Sequence, residues 1–137
     1  MPLGTIARVF GIIYLLVGIL GFVPSLTPAS ADSAHLAVGT TALALGLFPV
    51  NILHNIVHAA IGVWGLASGG SYSGARTFFR SLAVIYGLLF ILGLIPLTNT
   101  VFGLVPLYGN DIWLHAVTAI AAAYLGFSSP ATQEGRV

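Results

Sequence analysis

Four stretches of this chain, 6–24, 49–68, 79–97 and 111–127, are almost unbroken runs of apolar residues. Each is close to the about 20 residues of helix that cross the hydrocarbon core of a bilayer. None has the period-two alternation of a membrane barrel strand, so all four read as helices. Hydrophobic residues make up 58% of the 137 positions and charged residues 5%, too little polar surface to coat a soluble domain of this size. The expected fold is all-α, an integral membrane four-helix bundle forming a single transmembrane domain over 1–137.

Charge and cysteine content exclude several classes of function. The net charge of +1 comes with four arginines and no lysine, so there is no basic patch for nucleic acid. The absence of cysteine removes disulfides, thiolate metal sites and Fe–S clusters. No phosphate loop, nucleophile elbow or His-Glu-x2-His motif occurs.

The apolar stretches are related in pairs. "RVFGIIYLLVGILGFVP" from Arg8 aligns without gaps on "RSLAVIYGLLFILGLIP" from Arg80, placing Tyr14 on Tyr86, Gly21 on Gly93 and Pro24 on Pro96. "GLFPVNILHNIVHA" from Gly46 aligns on "GLVPLYGNDIWLHA" from Gly103, placing Pro49 on Pro106, His54 on Asp111 and His58 on His115. The chain therefore reads as two tandem, parallel helical hairpins, 6–69 and 79–127, related by a pseudo-two-fold axis along the membrane normal. "SGGSYSGAR", 68–76, reads as a flexible loop joining them, and "SSPATQEGRV" as a short polar tail.

Arginine placement gives the topology. Arg8, Arg76, Arg80 and Arg136 fall at one end of the bundle, while the loops at the other end, 25–48 and 98–110, contain neither lysine nor arginine. The positive-inside rule then puts both termini in the cytoplasm. Trp64, Tyr72, Phe78, Phe79 and Tyr124 are expected near the inner boundary, and Tyr108 and Trp113 near the outer one. Arg8, the apolar run after it and Ala29-Ser30-Ala31 also resemble a secretory signal. The pairing of the first helix with the third opposes its removal. In the long outer loop, 35–48 is apolar but too short to span, and is expected as an interfacial or re-entrant helix, or as an early start of helix 2.

Within this apolar chain, "NILHNIVHAA" at 51–60 stands out. On a helix His54 and His58 share a face, with Asn51 and Asn55 on or beside it. Asp111 and His115 repeat the spacing on helix 4. Pseudo-symmetry sets His58 opposite His115 in mid-bundle, with His54 and Asp111 one turn further out. Because a polar group facing lipid is costly, these residues should point inward.

Three readings of the cluster are open. In the first it is structural glue: histidines and the asparagines Asn51 and Asn55 bond across helices, and Asp111 pairs with His115 or caps helix 4. In the second, His58 and His115 are the axial ligands of a b-type haem, with Ala59, Ala60, Gly62, Ala116, Ala119 and Ala122 giving space. The small-x3-small spacings Ala119/Ala123 and Ala122/Gly126 would instead bring helices together. In the third, His54, His58, Asp111 and His115 hold a divalent metal such as zinc, iron or manganese. Tyr14 and Tyr86 read as core residues sharing one hydrogen bond rather than as a proton relay. No further general acid or base stands out, since Glu134 is in the tail and Asp32 in the outer loop.

"VNILHNIVHAAIGVWGL", followed by "PLYGNDIWLHAVTAIAAAYLG", resembles the DUF4383 group of small bacterial four-helix membrane proteins. Asn51, His54, His58, Asp111, Trp113 and His115 match its characteristic positions. The resemblance implies a multi-pass protein of a bacterial membrane, most simply the plasma membrane, and brings no activity or cofactor with it. The expected function is a non-enzymatic membrane protein, a homo-oligomer or an accessory subunit of a larger membrane complex, in contact with lipids. The alternative is a haem- or metal-binding protein of electron transfer or metal handling.

Overall fold

The computed structural model describes residues 2–30 and 36–128. Four α-helices carry the fold: α1 (Leu3–Leu20), α2 (Ile52–Ser68), α3 (Tyr72–Leu94) and α4 (Asn110–Phe127). Local chemistry sets their ends. Asn51 caps α2, its side chain accepting from His54 N at 2.8 Å. Ser71 caps α3 by accepting from Gly74 N at 3.0 Å. The latter stops at Leu94 because Ile95 precedes Pro96 and is held extended, at φ −101° and ψ 116°.

Two expectations are corrected here. The stretch 68–76 is not a flexible loop: α3 starts at Tyr72, seven residues before the apolar run at 79, and only 69–71 separate it from α2. The cap at Ser71 and the burial of Ala75 explain the early start. Nor is the described part of 35–48 an interfacial helix or an extension of helix 2. It leads into an antiparallel hairpin of strands β1 (Ala42–Ala44) and β2 (Phe48–Val50), turned by left-handed residues Leu45 and Gly46. Phe102 and Gly103, their counterparts in the aligned sequences, are also left-handed.

Helix α1 packs on α2 and α3 packs on α4, while α1 and α3 meet about the bundle axis. The α1–α2 contact is backbone to backbone. A methyl group at Gly11 would lie 2.6 Å from Leu66 N, and one at Gly18 would lie 2.7 Å from Ala59 N. On the other side a methyl at Gly126 would lie 2.8 Å from Arg80 N. The arginine-bearing end is filled by an aromatic core: Phe10 meets Phe79 edge-on at 5.2 Å, and Phe78 meets Trp64 at 5.2 Å and Phe79 at 5.3 Å. Phe78 and Phe79 are fully buried, whereas Trp64, Tyr124 and Trp113 are exposed. Apolar side chains cover the outward faces of all four helices, among them Ile13, Ile56, Val84 and Ile120. Two helices, α1 and α3, are long and apolar enough to cross a membrane, and α2 is apolar but shorter, at 17 residues.

Candidate functional site

The other half of the bundle is polar. Asn51, His54, Asn55, His58, Asp111 and His115 are all buried. Helical spacing puts His54 and His58 on the inner face of α2, and Asp111 and His115 on that of α4. Asp111 lies in the first turn of α4, where the helix dipole favours a carboxylate. The two helices reach each other through side chains, with the His54 and His115 rings 6.4 Å apart.

Both asparagines have structural partners. Asn51 Nδ2 donates to Val38 O at 3.0 Å and to Leu104 O at 2.8 Å while its Oδ1 caps His54 N, tying the loops that precede α2 and α4 to the start of α2. Asn55 Nδ2 donates to Gly21 O at 2.8 Å, securing the end of α1.

The four ligand-type residues are less symmetric than their spacing implies. One ligand atom each from His54, Asp111 and His115 lies within 4.8 Å of the others. His58 is outside that group, although its ring is 4.6 Å from that of His54. Asp111 Oδ2 is 3.5 Å from His115 Nε2. That separation is too long for a charge-assisted hydrogen bond, which closes to about 2.7–2.9 Å. It is close to the separation of two donors on one tetrahedral metal, about 3.3 Å for bonds of about 2.0–2.1 Å. His54 Nδ1, His58 Nε2, Asp111 Oδ2 and His115 Nδ1 are buried without a hydrogen-bond partner among the described residues. Histidine glue would have joined such atoms across helices.

Tyr14 and Tyr86 are core residues that share a hydrogen bond, as expected, but their contact with the histidines, an aromatic floor beneath the cluster, is not anticipated from sequence. The Tyr14 ring meets His58 edge-on at 5.4 Å and the Tyr86 ring meets His115 at 5.0 Å, while the two tyrosine rings lie 5.9 Å apart. Their hydroxyls face one another, with Thr118 beside Tyr14. The only prior signal was that Tyr14 and Tyr86 align with each other just as His58 and His115 do.

This floor bears on the haem reading. Tyr14, Tyr86 and His54 stand around His58 and His115 where a macrocycle would have to lie. The small residues offer no slot, because Gly62 backs onto the α1 backbone, 2.5 Å from Leu15 N for an added methyl, and Ala122 is in the core. The residues present do not fit a haem. They fit a compact metal site with two imidazoles and a carboxylate, the donor set of first-row divalent ions. Asp32 and Glu134 lie outside the described residues.

Comparison with curated proteins and with solved structures returned no match. Residues 5–128 match the family described as a domain of unknown function, DUF4383, and with nearly its whole length matched the chain belongs to that family.

Proposed function

We propose that this chain is a multi-pass protein of a bacterial plasma membrane, built as two tandem hairpins with the arginine-bearing end in the cytoplasm, that binds one divalent first-row metal ion between its hairpins. The apolar outer faces of all four helices support insertion of the whole bundle. At about 1.5 Å per residue α2 and α4 measure about 26 and 27 Å, a small mismatch with a core of about 30 Å. Three matching contacts support the repeat. Tyr14 on His58 corresponds to Tyr86 on His115, Gly21 against Asn55 to Gly93 against Ile112, and Arg8 over Gly69 to Arg80 over Gly126. Arg8, Arg76 and Arg80 sit at the α2–α3 turn and the C-terminus of α4, with Arg76 and Arg80 Nε both donating to Gly126 O. Any protein partner, a second copy included, would be met within the bilayer.

The metal reading rests on the 3.5 Å approach of Asp111 Oδ2 and His115 Nε2 beside His54, with His54 Nδ1, Asp111 Oδ2 and His115 Nδ1 buried and without a hydrogen-bond partner among the described residues. His54, Asp111 and His115 are the ligands. Elemental analysis by plasma mass spectrometry on protein purified gently from its native membrane tests this. The expected result is near-stoichiometric zinc, iron or manganese in the wild type, lost in His115→Ala and Asp111→Ala while the bundle stays folded. A wild type that carries no metal and takes none up from solution would overturn the reading and leave the cluster structural.

A further inference from the structure

With His115 bound through Nε2, a metal among His54, Asp111 and His115 gives His54 Nδ1 and Asp111 Oδ2 a role as donors and leaves two of the four atoms, His115 Nδ1 and His58 Nε2, without one; of these His58 Nε2 alone is on a residue outside the ligand group. His58 Nε2 stays unexplained. It is on a side chain nine-tenths buried, no group among the described residues bonds to it, and it lies one helical turn from His54 on the same face of α2, with Tyr14 closing the other side of its ring. Buried polar atoms in folded proteins almost always have a partner. The described residues supply none, which points to a partner that the site binds.

Three protein donors leave a first-row ion short of its tetrahedral complement, and sites of that kind hold water or an exogenous ligand in the fourth position. We infer that the site is open, that its fourth position takes one small monodentate ligand, water or a small anion in its place, and that His58 holds that ligand through a hydrogen bond at Nε2. This rests on the metal reading above. It adds that His58 is a positioning residue and not a ligand, and it makes the centre one that can bind a small molecule rather than a closed structural ion. The aromatic floor of Tyr14 and Tyr86 and the roof tied down by Asn51 shield the position from bulk water, which strengthens the hydrogen bond.

The test uses the full chain in lipid nanodiscs, stripped with chelator and reloaded with Co(II), with sodium azide as the probe. Cobalt content is measured by elemental analysis and azide binding by the visible ligand-field bands. In the wild type azide should shift the bands saturably. His58→Phe should keep one cobalt per chain yet bind azide about tenfold or more weakly, the cost of one hydrogen bond to a charged group. His58→Gln, which retains a donor, should bind azide nearly as the wild type does. His58→Leu is made alongside in case the phenyl ring does not fit. Azide affinity unchanged in the folded apolar variants, loss of cobalt from them, or a wild-type cobalt spectrum indifferent to azide would each overturn the inference. A wild type that takes up no cobalt would overturn the metal reading itself, and cobalt analysis separates that failure from the others.

Discussion

Asp111→Asn should change sign in its effect on stability depending on whether metal is present. Asp111 is buried to within 1% of full exclusion, its Oδ2 has no hydrogen-bond partner among the described residues, and its approach to His115 is 3.5 Å. Without metal, therefore, the wild type contains a carboxylate oxygen, Oδ2, that is stripped of water with no hydrogen bond from the described residues to offset the loss. Leaving a buried group unsatisfied costs about 1–3 kcal/mol, more for a charged one. Asparagine keeps the shape and removes the charge, so with chelator present Asp111→Asn should equal the wild type or exceed it by about 1–3 kcal/mol. With metal at about 100 times its dissociation constant the wild type gains about 2.7 kcal/mol, and a variant that no longer binds gains nothing. The order of stabilities then reverses or closes. Unfolding by titrated SDS in mixed micelles, followed by fluorescence of Trp64 and Trp113, measures both conditions. If Asp111→Asn is destabilised by more than about 1 kcal/mol in chelator, a scale typical of one lost hydrogen bond, the carboxylate makes a structural bond and the reasoning fails.

Two further expectations concern the scaffold. Gly11→Leu should destabilise by about 1–3 kcal/mol or more by forcing α1 away from α2, since even a methyl there meets backbone at 2.6 Å, whereas Gly87→Ala, with nothing within 4 Å, should be neutral or gain up to about 1 kcal/mol; the same unfolding titration compares them, and equal effects would refute the close-packing account. The chain has no cysteine, so single-cysteine variants report sidedness without background. Ser71→Cys should react with a membrane-impermeant maleimide only from the cytoplasm and Asn99→Cys only from the opposite side, and labelling of both from one side would refute the two-hairpin topology.

The helices were legible because their causes are local. Apolar runs of membrane length, Asn51 ahead of an apolar segment and Pro96 behind one mark their extent within a few residues, except at the start of α3, which lies seven residues earlier. The errors share a cause too. "SGGSYSGAR" has the composition of a linker, and only the packing of Ala75, Phe78 and Phe79 into the core makes its second half helix. The apolar stretch before Pro49 is as compatible with strands as with a short helix, because periodicity cannot separate the two over so few residues. Left-handed backbone at Leu45 and Gly46 decides for the hairpin.

For the site, the sequence by itself determined which residue types sit on which faces. The i, i+4 spacing of His54 with His58 and of Asp111 with His115 leaves them nowhere to point but inward in so apolar a chain. It could not determine which of the four converge. That depends on helix rotation and separation to within about an ångström, the tolerance of a metal–ligand bond or a hydrogen bond. Those quantities are set far from the cluster, where Gly11 and Gly18 let α1 lie against the α2 backbone and Gly126 lets α4 lie against α3. The tertiary structure alone brings His54 to Asp111 and His115, leaves His58 Nε2 beside them with no hydrogen-bond partner among the described residues, and fills the space a haem would need with Tyr14 and Tyr86.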